Sequence, residues 1–422
     1  MFQAAFTKLY RNLVLETLHR GRRGTLRLTM PGGSSRMFGG LDKELHAEIK
    51  IKNEAFYRRW VLYGSIGLAE SYLHNEWETN HLTGVIAWFF LNASFLSGEK
   101  VREQGLEKHN ILGIANQVQH LLRHCSKKKK EALFYDQSNV HTSFFQHWLG
   151  TSMAYSAAYF KTSTESLTLA QEAKWERLCQ KLLLTAHDYL LDIGCSWGGF
   201  AIYAAQKYGC RIQATTLSEE QYRQTDINVE KAGVANLVEV VFCNYQHLGG
   251  RFDKIACIEM MDLADDPDLE PFFAKIESLL APQGLLVLQL VLCPDNQYPF
   301  LRDNVDFVQK YITPRTLTPS LRRLTEACNE TGNLNLLDCE DITPSAARTM
   351  ALWRTAFTSS LPKMQKQGCS TLFLRKWFYY LCYCEAAFAT RSKSTVQALY
   401  SRPTNLTLKS PIYMLPSDEN PG

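Results

Sequence analysis

The segment Leu191-Asp192-Ile193-Gly194-Cys195-Ser196-Trp197-Gly198-Gly199 constrains this chain more than any other. An apolar run, Leu182 to Thr185 and then Tyr189-Leu190, precedes it and reads as a buried strand; Phe200 to Ala205 follows with helical spacing. Strand, glycine turn, helix is the geometry that lets a backbone approach a ligand at the carboxyl edge of a parallel sheet. The spacing D-x-G-x-x-x-G-G differs from the dinucleotide fingerprint G-x-G-x-x-G.

Four further apolar runs alternate with helical ones. Arg211 to Thr215, Val238 to Phe242, Lys254 to Ile258 and Leu285 to Leu292 read as strands two to five of a doubly wound α/β sheet. The stretch from Tyr298 to Phe388 is expected to be mostly helical and to roof the site. Ahead of the sheet, Gly24 to Gly33 alternates and breaks at Pro31-Gly32-Gly33, a strand and a turn. His46 to Ile51 reads as another strand, and Phe56 to Asn92 turns helical. A small N-terminal α+β domain over 1–120, a second domain over 121–405 and a tail over 406–422 follow from this pattern.

The flanks carry a resemblance. Asp192 and the glycines after it match the first motif of the S-adenosylmethionine (SAM) methyltransferases. Upstream stands Met153-Ala154-Tyr155-Ser156-Ala157-Ala158-Tyr159-Phe160, and downstream Thr215-Thr216-Leu217-Ser218-Glu219-Glu220-Gln221. Together these resemble the cyclopropane-fatty-acyl-phospholipid synthases and mycolic acid methyltransferases, which show M-x-Y-S-C-A-Y-F, D-[IV]-G-C-G-W-G-G and T-L-S-x-E-Q in this order. Asp306-Phe307, Trp353-Arg354 and Tyr380 to Glu385 match further on, and Gly64 to Tyr72 resembles the G-x-x-G-x-x-E-x-Y segment of the synthases' N-terminal domain. The resemblance implies a Rossmann-like SAM methyltransferase sheet with a helical cap, and an N-terminal domain that helps present phospholipid.

For SAM, the resemblance and the turn chemistry implicate Asp192, Gly194, Cys195 and Trp197 at the glycine turn, with Tyr155 and Ser156 closing over the methionyl end. Thr216, Leu217 and Gln221 would read the ribose; taken without their neighbours they would be a helix N-terminus capped by Ser218. Asn244-Tyr245-Gln246 stands where the family has D-Y-R, and Asn244 still offers a carbonyl acceptor.

In the family, a cis alkene of a phospholipid acyl chain attacks the sulfonium methyl, and bicarbonate, seated by Cys, Glu, His, Tyr and backbone, removes a proton to close the ring. Carried across, Tyr is kept as Tyr380 and the backbone position is Ile258, but Cys becomes Ala157, Glu becomes Asp262 and His becomes Gln289. Asp262 retracts its carboxylate by about 1.5 Å, and Gln289 shuttles no proton. Either bicarbonate sits differently, or Asp262 acts directly, or catalysis is lost; as an ordinary residue, Asp262 would cap a strand end. An upstream H-Y-D reads Phe134-Tyr135-Asp136, and a later H-Y reads Ser345-Ala346. The resemblance thus implies a cyclopropane synthase on unsaturated phospholipid acyl chains, a methyltransferase giving a methyl-branched product, or an impaired member that binds SAM or lipid as a partner protein.

Composition sets outer limits. With 422 residues, 45% hydrophobic, the chain can bury two cores. A net charge of +4 argues neither for nor against a nucleic-acid partner, but the basic segments show no recognition module or aromatic interleaving, so none is expected. Twelve cysteines with no C-x-x-C pair or His at zinc spacing read as free thiols in a reducing compartment, with no metal. No signal-peptide pattern or spanning segment is found, so a cytoplasmic location is expected. Residues 2 to 19 carry Phe2, Phe6, Leu9, Tyr10, Leu13 and Leu18 near helical spacing beside Lys8, Arg11, Arg20, Arg22 and Arg23, which suits either an interfacial helix on anionic lipid or one packed on its own domain. Lys127 to Lys130 suit an anionic surface or a solvated linker. Peripheral membrane association is the expectation; a homodimer is left open.

Overall fold

The computed structural model describes residues 2–40, 45–96, 141–260, 266–313 and 317–403, with 405 and 408. Asp262, Lys127 to Lys130 and Phe134 to Asp136 lie outside the described residues. A four-stranded sheet comes first, built from β1 (Thr25–Thr29), β2 (Ser35–Gly39), β3 (His46–Ile51) and β4 (Trp77–Glu78) in the order β2-β1-β3-β4. The turn at Pro31 to Gly33 closes a β1–β2 hairpin, so the chain beyond the turn pairs back on β1 as a second strand. Helices Phe2–His19, Ala55–Leu73 and Leu82–Leu96 accompany it.

The second sheet has seven strands in the order β10-β11-β9-β8-β5-β6-β7, from β5 (Tyr189–Ile193), β6 (Arg211–Thr216), β7 (Val238–Phe242), β8 (Phe252–Ile258), β9 (Leu280–Leu292), β10 (Asn335–Asp341) and β11 (Ser394–Ser401). β5 to β9 run parallel, and β10 and β11 add an antiparallel edge. The order reverses beside β5, which puts the glycine turn after that strand at the switch point where open α/β sheets bind ligands.

One expectation needs correcting. Leu182 to Thr185 is not strand. Helix Leu167–Lys181 ends there, with Leu183 left-handed (φ 48) and the amides of Leu183 and Leu184 bonded back to Gln180 O and Cys179 O. That is a Schellman termination, in which apolar residues cover a helix end. The stretch from Tyr298 to Phe388 is mostly helical as expected, with β10 the one strand described within it; helices Thr343–Lys366 and Thr371–Ala389 form the cap.

The N-terminal sheet does not bury its own core alone. Val14, Leu18, Trp77 and Trp88 belong to one buried cluster with Trp148, Trp353, Trp377 and Tyr380 of the site and cap. The Gly64-to-Tyr72 segment makes the join. Gly64 breaks its helix at φ 58, a Cβ on Gly67 would stand 2.1 Å from Arg59 O, and Glu70 receives Lys310 Nζ at 2.8 Å and the Tyr311 hydroxyl at 2.5 Å. Only glycine tolerates the first two positions. No described helix is long and apolar enough to cross a membrane.

Candidate active site

The turn after β5 places backbone, not side chains, at the mouth of the pocket. Gly194 has φ 77, and the amides of Gly194 and Cys195 both bond Thr215 O, at 3.0 and 2.9 Å. Ser196 takes φ 52, so a residue with a Cβ occupies a left-handed position. Its carbonyl accepts Thr225 Oγ1 at 3.0 Å, and Asn228 Nδ2 holds the Trp197 carbonyl at the same distance, so helix Glu219–Lys231 fixes the turn from behind.

The pocket beside this turn is lined by Tyr155, Ser156, Asp192, Gly194, Cys195, Trp197 and Ile258, with Met153, Trp175 and Ser196 among the remainder. Seven residues singled out from the sequence therefore meet on one cavity. Thr216 Oγ1 donates to Gln221 Oε1 at 2.9 Å, pairing two of the three expected ribose readers next to Leu217, and Ser218 caps the following helix. Asn244 Oδ1 is bonded to Gln246 N at 2.9 Å, capping a short 3-10 turn. Tyr245 is a core residue packed on Phe272, and Gln246 is exposed.

Segment 155–160 forms the opposite wall and is tied down at every step. Ala158 N donates to Thr349 Oγ1 and Phe160 N to Ser345 Oγ, both at 3.0 Å, so the serine standing at the eroded H-Y position pins this loop. From below, Gln171 Nε2 bonds Ser156 O at 3.0 Å and Lys174 Nζ bonds Ser156 Oγ at 2.7 Å. Gln171 and Lys174 are fully buried on a helix face shared with Ala170, Ala173 and Leu178. Two polar residues at core positions of an amphipathic helix are the sequence signal for this contact.

A carboxylate sits between the two walls. Glu259, at the end of β8 with φ 47, points Oε1 at Ala157 N (2.9 Å) and Gln289 Nε2 (2.7 Å). The same Gln289 amide reaches Ala157 O at 2.9 Å, and Gln397 Nε2 holds Gln289 Oε1 at 3.0 Å, which fixes the amide's orientation. Burial raises the Glu259 carboxyl above its ordinary range, opposed by Gln289, Ala157 N–H and Lys174. Asp192 is buried with Oδ2 unpartnered, and desolvation lifts its carboxyl to about 7 against the pull of Lys174. Desolvation lowers Lys174 to about 7 against Glu259 and Asp192. A non-glycine residue in the left-handed region, next to buried charge, is the kind of strain that collects at functional sites.

A cluster of aromatic rings packs behind Tyr155. Tyr155 lies 5.3 Å from Phe145, 5.7 Å from Trp148 and 5.8 Å from Trp353, centroid to centroid. Its hydroxyl donates to Tyr380 at 3.1 Å, and Tyr380 meets Trp377 edge-on at 5.6 Å. Burial pushes both phenols up, so they stay protonated.

The residues present fit a bound SAM. A turn with no side chain at Gly194 admits the amino-acid end, the orphaned Asp192 oxygen awaits a cation, and aromatic faces suit a sulfonium. They do not fit a bound bicarbonate equally well, since the donors at Ala157 and Gln289 are already taken by Glu259.

Comparison with known proteins bears on this geometry. A family model for mycolic acid cyclopropane synthetases matches residues 123–398. The chain is 29% identical over 363 residues to the cyclopropane-fatty-acyl-phospholipid synthase of Escherichia coli K12, covering 84% of this chain and 88% of that protein. It is 28% identical over 373 residues to a tuberculostearic acid methyltransferase of Mycobacterium tuberculosis, covering 86% and 84%. Among solved structures, the cyclopropane synthase MmaA2 from M. tuberculosis superposes with a TM-score of 0.59 at 23% identity, over 63% of this chain and 95% of that one. Coclaurine N-methyltransferase bound to N-methylheliamine and SAH superposes at 0.60 with 16% identity, over 80% and 99%. At these identities the structural likeness speaks for the fold.

Proposed function

We propose, for a chain that belongs to the mycolic acid cyclopropane synthetase family and whose cofactor is SAM, that it alkylates a cis double bond in a phospholipid acyl chain with Glu259 as the base. The Glu259 carboxylate, half-buried next to the pocket-lining Ile258 and aimed by Ala157 N–H and Gln289, is the observation that carries this reading.

SAM supplies, when bound, an electrophilic methyl group on a sulfonium. The turn at Gly194 and Cys195 takes the amino-acid end, Asp192 faces the ammonium, and Thr216, Leu217 and Gln221 lie where the ribose is read. Tyr155, on the pocket and backed by the buried Trp148 and Trp353, offers a π face to the reacting carbons and helps exclude water, which stabilises positive charge on the acyl chain and protects it from hydration. Tyr380 holds Tyr155 in place. Glu259 then accepts the proton whose loss closes the ring, and no separate bicarbonate is required. Asp262, three residues further in sequence, is a second carboxylate candidate for the base.

A methyl-branched or methylene product is the second reading, favoured by a likeness to the tuberculostearic acid methyltransferase as extensive as that to the cyclopropane synthase. The N-terminal helix supports substrate delivery from a bilayer. Leu15 and Leu18 pack inward while Phe6, Leu9 and Leu13 remain exposed beside Lys8, Arg20, Arg22 and Arg23.

The test is to incubate purified protein with methyl-labelled SAM and vesicles containing cis-unsaturated phospholipid, then read the acyl chains by mass spectrometry. A gain of one labelled CH2 with loss of the alkene supports ring closure, and an added methylene or methyl with a proton shifted supports the second reading. SAM binding without any product leaves a SAM- and lipid-binding protein. Glu259→Gln is expected to lower turnover by about 10²–10⁴-fold, the range of a general base; wild-type turnover in that variant excludes Glu259.

A further inference from the structure

Helix Leu167–Lys181 grips the 155–160 wall through one of its faces. Tyr159 N donates to Ala170 O at 3.0 Å, Gln171 Nε2 to Ser156 O at 3.0 Å and Lys174 Nζ to Ser156 Oγ at 2.7 Å. Position 174 lies three residues from 171 and four from 170, so all three share a side of the helix. Trp175, the next residue, lines the pocket itself, whereas Lys174 is not on the lining and stands one layer behind Ser156. Its neighbours on the buried helix face, Ala170, Ala173 and Leu178, are apolar. A lysine placed among them gives up its hydration, a cost that only a used N–H group offsets. Among the described residues, Ser156 Oγ is the hydrogen-bond acceptor that Lys174 Nζ finds.

The effect of that bond follows from which donors the pocket has left. The amides of Gly194 and Cys195 are committed to Thr215 O, the Trp197 indole N–H to Thr142 Oγ1 and the Tyr155 hydroxyl to Tyr380. Ser156 differs. Its oxygen accepts from Lys174, and its own hydroxyl proton donates to no described residue. A hydroxyl has a single proton, which points away from the direction in which the oxygen accepts. With Lys174 behind the oxygen, that proton is left to the cavity that Ser156 lines. On the same cavity, Asp192 Oδ2 is buried and unpartnered. A free donor and an unpaired carboxylate on one pocket match the carboxylate and the ammonium of an amino acid.

We propose that Lys174 is a positioning residue for the carboxylate of the cofactor's amino-acid end: it holds the Ser156 hydroxyl as a donor to that carboxylate, while Asp192 takes the ammonium. This rests on the reading of Ser156 as a contact of the methionyl end. Lys174 acts through Ser156 from behind the lining, and Nζ carries hydrogens to donate as ammonium or as amine, so the bond holds in either protonation state. Gln171 fixes the main chain of the same residue, so Ser156 is held at its carbonyl and at its hydroxyl. The ligand class selected is a nucleoside sulfonium or thioether bearing an α-amino acid. A nucleoside without the carboxylate gains nothing from Lys174.

The experiment is calorimetric binding of S-adenosylhomocysteine, its decarboxylated analogue and methylthioadenosine to the full-length wild-type chain, to Lys174→Met, to Ser156→Ala and to the double variant, all at one pH. Lys174→Met is expected to weaken S-adenosylhomocysteine by about 10–100-fold, the range of a hydrogen bond to a charged group. The other two ligands, which have no carboxylate, should bind this variant as they bind wild type. Because Lys174 acts through Ser156, the double variant should bind S-adenosylhomocysteine no more weakly than the weaker single variant. Lys174→Gln keeps a donor at the position and should fall between wild type and Lys174→Met; it also carries the ligand comparison if the Met variant does not fold. An equal loss of all three ligands in the Met or Gln variant, or losses that add in the double variant, overturns the proposal and makes Lys174 a structural residue. S-adenosylhomocysteine binding unchanged by Ser156→Ala overturns instead the reading of Ser156, and the proposal with it. Failure of wild type to bind any of the three ligands overturns the SAM site on which both stand.

Discussion

Gln289 and Glu259 are joined by two hydrogen bonds: Gln289 Nε2 stands 2.7 Å from Glu259 Oε1, and the backbone amide of Glu259 returns a bond to Gln289 O at 2.7 Å. The side-chain bond favours the ionised carboxylate and opposes the rise that burial imposes. Gln289→Leu removes it. The Glu259 carboxyl should then rise further, so the base is ionised only at higher pH. The expected outcome is an acid limb of the kcat/KM profile displaced to higher pH, with activity recovering on its alkaline side. A uniform loss at every pH would instead mark Gln289 as merely structural.

Tyr155 and Tyr380 test the aromatic wall. Tyr380→Phe leaves the buried Tyr155 hydroxyl without its acceptor, and an unsatisfied buried group costs about 1–3 kcal/mol. Adding Tyr155→Phe removes both partners and should recover much of that loss. Chemical denaturation of the two single variants and the double variant measures the coupling. Additive losses would show that the hydroxyl pair contributes nothing.

Much of this molecule was legible in sequence, for a physical reason. β5 and β9 carry long apolar runs because both faces of a parallel sheet are buried, and the glycine turn after β5 carries a fixed spacing. The ends and edges were not legible. β10 reads Asn335 to Asp341 with its acids outward, a solvent-facing edge with no apolar alternation to announce it. Leu182 to Thr185 satisfied the apolar pattern of a strand while serving as a helix end. At the site, motif spacing located Tyr155, Ser156, Asp192, Gly194 and Trp197 on one pocket, but Glu259 and Lys174 were passed over. Buried charges have no periodic signature: Glu259 is one letter beside Met260, and its role follows from Ala157, 102 positions away in sequence.

Ser196 occupies a left-handed position where the family motif has glycine. The conformation costs a residue with a Cβ about 1–2 kcal/mol, partly offset because glycine loses more backbone freedom on folding. Ser196→Gly should therefore stabilise the chain by under about 1 kcal/mol, a rise in melting temperature of about 1–2 °C by calorimetry. A lower melting temperature would show that the Ser196 side chain makes a compensating contribution.

Lys174 and Asp192 give stability an unusual dependence on pH. Asp192, raised to about 7 from 3.8, keeps a proton in the folded chain that the unfolded chain has released, so its contribution falls as pH rises between those values. Lys174, lowered to about 7 from 10.5, has lost its proton in the folded chain while the unfolded chain retains it, so stability recovers as pH rises from about 7 towards 10.5. Compared with Lys174→Met, Asp192→Asn, the wild-type chain should be at its greatest disadvantage near pH 7. Urea midpoints measured across pH 4 to 10 check this, and a difference that does not vary with pH would refute it.

The N-terminal helix presents two apolar faces, one packed and one open, and the open one decides whether the chain reaches a bilayer. Phe6 and Leu9 are 54% and 51% exposed. Burying the exposed half of each side chain in a membrane interface contributes about 1 kcal/mol, so Phe6→Ser with Leu9→Ser should weaken vesicle binding more than tenfold. Lys8, Arg20, Arg22 and Arg23 add attraction to anionic headgroups. That attraction should fade as screening shortens from about 10 Å at 0.1 M salt to about 3 Å at 1 M. Sedimentation with anionic and zwitterionic vesicles separates the two contributions: salt should remove the preference for anionic lipid, whereas the double variant should lose binding to both. Equal binding of wild type and variant would return this helix to a purely structural role.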